Sequence, residues 1–315
     1  MAKTCSAQRM QKSFSEVVHV TEKTQPVGSH DTPEVENEQV NFAKYDRRSL
    51  SYASTFEDPW KSRMISVMEL FTGKLRILQM IRKFEKRGAP SGQQFWRAAL
   101  DTMGIDLTTP QSQLDLIPKK GPVIVVANHP HGMVDGMIFA DLIGRVRPDY
   151  RILTRSLLTS IDEVAGSFMI PVPFPHDPDA QRKGVQMRAA AMKHLKDGGV
   201  VALFPSGVVA ASETMWGPAV EAEWNVFTAK MIRRSGAQVV PMKFPGQNSR
   251  AYQIANQLSP MLRQGLLVHE IVHSCNKPQA PIVGHPIPQE EIDAHADDPR
   301  GFMEWLRACT LALDE

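Results

Sequence analysis

Within one short segment, Asn128-His129-Pro130-His131-Gly132-Met133-Val134-Asp135-Gly136, the chain gathers two imidazoles, a carboxylate, a carboxamide and two glycines. A histidine held by a nearby carboxylate is the minimum apparatus for deprotonating an alcohol. The carboxylate fixes the imidazole tautomer and stabilises the imidazolium as the proton arrives. Asp135 can serve His129 or His131 in this way, and local chemistry leaves both open. Pro130 keeps His129 extended, while Gly132 and Gly136 permit tight turns. A lone loop histidine is usually a solvated bystander; the bunching of these groups is what sets the segment apart.

The elements that must position it are legible on either side. Pro122–Ala127 is a β-branched run expected of a strand buried on both faces. A helix is expected over Gly136–Val146, a strand over Arg151–Thr154, and a helix over Gln181–Lys196 that ends at Gly198-Gly199. Further strands are expected at Val200–Phe204, Gln238–Phe244, Gly265–Val272 and Pro281–Val283, with helices at Pro218–Arg234 and Gly301–Leu313. This alternation predicts an α/β fold with a mostly parallel central sheet flanked by helices. In such sheets function gathers at the loops leaving the strand ends. Two more loops qualify. Phe204-Pro205-Ser206-Gly207 follows one strand, and Pro245-Gly246-Gln247-Asn248-Ser249 follows another whose end carries Lys243. Ser206 lies in no Gly-x-Ser-x-Gly elbow, which argues against a serine hydrolase.

Upstream, residues 1–50 are polar and aperiodic and are expected to be a disordered tail. Residues 51–105 form an amphipathic helical segment ahead of the α/β domain at 106–315. Lys61–Arg87 reads as one helix or two, apolar on a broad face and basic on the other, with Gly73 as a possible bend. Lys74, Arg76, Arg82 and Lys83 make an anionic membrane surface one candidate partner; the alternative is a surface helix packed on its own domain. A second helix is expected over Gly92–Met103, closed by Gly104.

The three loops resemble the phospholipid/glycerol acyltransferase family, in its hemolysin-like lysophospholipid acyltransferase branch. Most of that family spaces His and Asp by four residues. The branch carries Asn-His-Pro-x-Gly-x-x-Asp-Gly, with five between, as Asn128–Gly136 does. Phe204-Pro205-Ser206-Gly207 resembles the family's Phe-Pro-Glu-Gly block, Val239-Val240-Pro241 its fourth block, and Val283-Gly284-His285-Pro286-Ile287 its Gly-x-Pro-Ile. Leu50–Ala53 through Glu69–Gly73 resembles the branch's lead-in, so the likeness covers about residues 50 to 290.

The resemblance implies a glycerol-3-phosphate acyltransferase-like fold and transfer of an acyl group from acyl-CoA or acyl-carrier protein to a lysolipid hydroxyl. His129 takes the role of base and Asp135 its partner. Asn128, His131, Gly132, Arg155, Phe204, Pro205, Ser206, Gly207, Lys243 and Asn248 are the candidate substrate-binding residues. Backbone amides near Gly132 or Gly207 are candidate donors to the oxyanion. No cofactor or metal is implied beyond the acyl thioester co-substrate. Two departures bear on the acceptor. Ser206 stands where the family has Glu, and Ile170–His176 lacks the Arg thought to grip a phosphate, for which Arg155, Arg182 or Lys183 are substitutes. An aminoacyl (ornithine-type) lysolipid thereby joins lysophosphatidic acid as a candidate acceptor.

His269-Glu270-Ile271-Val272-His273 spells a zinc-hydrolase pattern that works only on a helix. Its surroundings read as β-rich, and on a strand the two imidazoles stand about 13 Å apart. The zinc hydrolase and a non-catalytic lipid-binding protein are therefore the rival readings. A formal net charge of +2 argues against a strongly basic nucleic-acid binder. Cys5, Cys275 and Cys309 are odd in number and scattered, as expected of free thiols in a reducing compartment. With no signal-like or membrane-spanning run, the expectation is a cytoplasmic protein, peripheral on the membrane. The five tryptophans are expected to be mostly buried.

Overall fold

The computed structural model describes residues 58–314 apart from 89, 156–162, 175–176 and 178. The tail, the lead-in before residue 58 and Cys5 lie outside the described residues.

The central sheet has six strands. They are β1 (Val123–Ala127), β2 (Tyr150–Arg155), β3 (Met169–Val172), β4 (Val200–Leu203), β7 (Gln238–Lys243) and β8 (Ile282–Val283), in the order β3-β2-β4-β1-β7-β8. The first five run parallel and β8 is antiparallel to β7. The mostly parallel α/β fold expected from the alternation is the observed one. β1 sits mid-sheet, and all five of its residues are buried. Its alternate residues feed two cores. Val123, Val125 and Ala127 pack on one face with Val134, Ile138 and Trp96; Ile124 and Val126 pack on the other with Ala229, Ile232 and Leu306. Pro171 falls in β3, at the sheet edge, where a missing N–H costs no ladder bond. β5 (Ala211–Ser212) and β6 (Ala219–Val220) pair separately as a small antiparallel hairpin.

The basic segment forms α1 (Pro59–Glu69), a π-helical turn (Leu70–Lys74) and α2 (Leu75–Lys86). Asp58 caps α1, its carboxylate accepting the Trp60 N–H at 2.9 Å, with Pro59 at the first helical position. The bend falls at Gly73, as the sequence suggests. Its φ is 141°, and a Cβ there would lie 2.8 Å from Val272 Cγ2, so only glycine permits both the turn and the approach. Along this segment Trp60, Met64, Val67, Phe71 and Leu75 recur at helical spacing, yet all five are exposed, Phe71 by 84%. The inward face instead carries Ile65 and Glu69, and Lys74 bonds Glu69 at 3.3 Å rather than facing outward with Arg76, Arg82 and Lys83. α3 (Gln94–Met103) follows, closed by Gly104, and adds Trp96 and Leu100 to the core. Trp60 and Trp216 are exposed, against the expectation of burial that Trp96 and Trp224 meet.

Two expected elements are corrected. Gly265–Val272 is not a strand; it falls across α10 (Pro260–Gly265) and α11 (Leu267–Ser274). Val268, Ile271 and Cys275 are buried at spacings of three and four, the signature of a helix face. The helix expected over Pro218–Arg234 begins only at Val226 (α8, Val226–Ser235), where the Asn225 carboxamide oxygen accepts the Phe227 N–H at 2.8 Å. Of the residues before it, Ala219 and Val220 form β6 of the hairpin. No helix among the described residues is long and apolar enough to cross a membrane.

Candidate active site

Three adjacent parallel strands, β4, β1 and β7, end at the same level. Val126 lies opposite Leu203, and Ala127 opposite Met242. Their following loops therefore open side by side at the carboxyl edge of the sheet. Asn128 ties two of them together: its Nδ2 donates to the Phe244 carbonyl at 2.8 Å and its Oδ1 accepts the Phe244 N–H at 2.7 Å. A buried carboxamide that matches a peptide group in both directions acts as a rivet, and Asn128 is 7% exposed.

The next element, α5 (Met133–Gly144), begins at a left-handed Gly132 (φ 74°) and carries Asp135 in its first turn. A carboxylate there faces the unpaired N–H groups of the helix start. Asp135 is completely buried and accepts four N–H donors. Its Oδ2 takes the His129 ring at 3.0 Å, the His131 peptide at 2.7 Å and the Gly132 peptide at 3.1 Å, and its Oδ1 takes the His131 ring at 3.0 Å. Burial pushes this carboxyl up, but the hydrogen bonds and charges of the two histidines outweigh it and hold Asp135 below its ordinary value. An ionised carboxylate only accepts, so each Nδ1 carries its hydrogen, and in the neutral imidazole the lone pair is on Nε2.

The two imidazoles differ in their outer faces. The His129 ring is stacked on Phe204, centroids 3.9 Å apart, and its side chain is 17% exposed. The His131 side chain is 9% exposed, and its Nε2 lies against Gly246, where a Cβ would come within 3.0 Å. His129 is the more open of the two.

The second loop serves chiefly as a wall. Phe204 supplies the stacking face, the Pro205 carbonyl accepts the Asn225 N–H at 3.0 Å, and the Ser206 hydroxyl donates to the Val208 carbonyl within its own turn. The amides expected as oxyanion donors are already engaged: Gly132 N–H on Asp135, and Gly207 N–H on the Phe204 carbonyl at 3.0 Å. Arg155 leaves the end of β2 toward this loop, donating to the Gly207 carbonyl at 3.2 Å while its guanidinium covers the Phe174 ring. Burial pulls Arg155 below its ordinary value, with Asp177 opposing.

Among the described residues, none of the remaining candidates is hydrogen-bonded to either histidine. Lys243 turns to the chain's end, its ammonium on the Leu313 carbonyl at 2.6 Å, which takes it out of the constellation the sequence suggested. Asn248 is buried within the third loop. Arg182 pairs with Asp179 on the surface, and Lys183 is exposed. His269 and His273 share one face of α11, rings stacked 5.9 Å apart, so the strand-based spacing of about 13 Å does not hold. His269 is turned onto Glu270 at 2.9 Å, and the Lys277 ammonium sits 2.8 Å from His273 Nε2. Burial first, then Lys277, hold His273 below its ordinary value. A cation at that nitrogen opposes a metal there. Sequence reading missed Glu221 altogether. This buried acid accepts the His129 peptide N–H at 3.0 Å from 92 residues away, and nothing in its local sequence marks it.

A part-buried imidazole held by a buried carboxylate stands at the strand exits of a mostly parallel α/β sheet, an arrangement that can take a proton from a hydroxyl. Residues 76–271 match the family model described as Acyltransferase, which is more than half of the chain. The chain belongs to that acyltransferase family. A lyso-glycine lipid O-acyltransferase from Phocaeicola vulgatus is 25% identical over 188 residues, covering 57% of this chain and 64% of the relative. The chain thus spans less than two thirds of that relative's length. Among solved structures, the 1-acyl-sn-glycerophosphate (LPA) acyltransferase PlsC from Thermotoga maritima shares 16% identity, with a TM-score of 0.44 over 83% of this chain and 86% of that one.

Proposed function

We propose that this protein is an O-acyltransferase that moves a fatty acyl group from acyl-CoA or acyl-carrier protein to the hydroxyl of a lysolipid. The observation that carries the reading is the His129–Asp135 pair at 3.0 Å, with its imidazole backed by Phe204 and more exposed than that of His131. His129 Nε2 takes the acceptor's hydroxyl proton, and Asp135 stabilises the imidazolium. The alkoxide attacks the thioester carbonyl. The tetrahedral intermediate then collapses, forming the ester and expelling the thiolate, which recovers the proton from His129. No covalent enzyme intermediate is needed.

The acceptor we favour is a lysolipid with an amino-acid head group. The relative from Phocaeicola vulgatus is named for a lyso-glycine lipid, and Arg155, at the end of β2 beside the Gly207 loop, can read one carboxylate. Lysophosphatidic acid is the competing acceptor. Attachment to a membrane is assigned to α1, the π turn and α2, which carry the exposed apolar residues Trp60, Met64, Val67, Phe71 and Leu75 together with the exposed Arg76, Arg82 and Lys83.

The test is to incubate the protein with labelled acyl-CoA or acyl-carrier protein and a panel of lysolipids differing in head group. Label in an acylated amino-acid lipid is the expected result. Transfer only to lysophosphatidic acid would overturn the acceptor, and vesicle binding without transfer to any acceptor would favour a lipid-binding protein.

A further inference from the structure

We propose that Glu221 is a positioning residue for His129, a second buried carboxylate that fixes the backbone of the base and adds negative charge beside it. The inference rests on His129 being the base and goes beyond the histidine–aspartate pair.

Both peptide groups flanking the His129 α-carbon are held. The His129 N–H donates to Glu221 Oε2 at 3.0 Å, and the His129 carbonyl accepts the Ala210 N–H at 2.8 Å. The other carboxylate oxygen of Glu221 accepts the Trp224 indole N–H at 3.0 Å, and Glu221 is 5% exposed. One residue after Trp224, the Asn225 N–H bonds the Pro205 carbonyl, in the loop whose Phe204 backs the imidazole. The chain thus leaves β4, makes the hairpin, and returns at residues 221–225 to clamp the loops after β1 and β4 together. A charge-assisted bond to a peptide N–H is among the stronger hydrogen bonds, and in a buried setting it resists rotation of that peptide. The sequence carries Ser206 where a carboxylate was expected by resemblance; the second carboxylate near the base comes from Glu221 instead.

The charge has a consequence for proton transfer. When His129 takes a proton, Glu221 and Asp135 both stabilise the imidazolium. Ionisable groups near this pair among the described residues include His131 on Asp135, His273, which feels the charge of His131, Arg155 across Gly207, Glu223 with its partner Arg300, and Arg307, whose guanidinium bonds the Glu221 carbonyl rather than its carboxylate. Glu270, His269 and Lys277 surround His273 on its far side. Replacing Glu221 with glutamine leaves these groups and removes one charge and one acceptor.

The experiment compares Glu221→Gln with the wild type in two readouts, steady-state acyl transfer and NMR titration of the His129 imidazole in histidine-labelled protein, assigned with His129→Asn. The expected result is a kcat about 10- to 100-fold lower with KM within about threefold, and an imidazole that titrates about half a pH unit or more below the wild type. A folded Glu221→Gln protein of lower melting temperature but unchanged kcat and unchanged His129 titration would overturn the proposal. Should that variant not fold, Trp224→Phe frees one carboxylate oxygen and keeps the charge. A loss of kcat of about threefold or more then supports the role, and an unchanged kcat refutes it. If the wild type transfers no acyl group, the acyl-transfer reading falls on its own, and the titration alone decides the part played by Glu221.

Discussion

Replacing Asp135 with asparagine removes a charge from the most heavily bonded side chain of the site. Four N–H groups point at this carboxylate, three of them at Oδ2. Asparagine keeps most of them by placing its single oxygen at the Oδ2 position. Its NH2 then faces His131, whose ring must change tautomer to accept. His129 keeps its tautomer and its geometry, so the loss is one of charge. A neutral amide cannot stabilise the imidazolium, and an opposite charge at this range is worth about one to three pH units of basicity, or roughly 10- to 1000-fold in rate. Each of the three retained bonds weakens from charge-assisted to neutral, about 1 kcal/mol apiece, and the relief of an uncharged group in a dry site returns part of it. The expected destabilisation at pH 7 is about 1–3 kcal/mol. Because Asp135 is held below its ordinary value, its contribution is present above the unfolded carboxylate value of about 4 and is lost as pH falls through the lower folded value. The stability gap between wild type and Asp135→Asn therefore narrows from pH 7 to pH 3. Urea titrations at both pH values, with kcat on the best acceptor, measure it. A variant with kcat within about threefold of wild type, or a gap that stays constant with pH, would refute the reasoning.

Other perturbations follow from the same contacts. Asn128→Ala breaks two buried bonds to the Phe244 peptide; denaturation should show a loss of about 2–4 kcal/mol, with kcat falling as the loop loosens. Gly73→Ala meets Val272 in a left-handed backbone; a melting-temperature drop equivalent to about 1–3 kcal/mol is expected. Phe71→Asp together with Trp60→Glu should abolish sedimentation with vesicles while transfer to detergent-dispersed acceptor persists. Binding of the wild type should weaken only modestly in high salt, because the stripe is apolar and Lys74 is paired inward. His269→Ala, or treatment with a zinc chelator, should leave acyl transfer intact, since Lys277 occupies the outer nitrogen of His273; loss of activity on chelation would revive the hydrolase reading.

The strand exits were legible in the sequence because a buried parallel strand is a short apolar run rich in valine and isoleucine, and Val123–Ala127 and Val200–Leu203 are of that kind, while Gln238–Lys243 shows it only in Val239-Val240. Their adjacency in the order β4-β1-β7, which brings Asn128, His129, Phe204 and Phe244 together, was not legible, because a strand's sequence does not name its neighbours. The reading failed where local composition and tertiary burial disagree. Leu267, Val268, Ile271 and Val272 favour a strand by residue type, but Val268, Ile271 and Cys275 bury one helical face, and that spacing decided the outcome. Lys61–Arg87 is helical with its bend at Gly73, as the periodicity implies, but which face is exposed was not legible, since periodicity gives a face and not what covers it. Lys243 looked available because a strand end near the site was all the sequence offered. Its bond to Leu313 depends on the chain just beyond the last helix (Pro299–Leu311), 70 residues away. Glu221 shows the same limit from the other side: a lone acid in a loop acquires its role only through a contact across 92 residues.

The central claim is that His129, and not its neighbour on the same carboxylate, takes the hydroxyl proton. The direct measurement is kcat for acyl transfer in His129→Ala and His131→Ala, each with a thermal melt to establish folding. The account predicts a loss of about 1000-fold or more for His129→Ala and about 100-fold or less for His131→Ala, since His131 acts only by orienting Asp135. A folded His129→Ala protein that retains transfer, or a larger loss in His131→Ala, would contradict it.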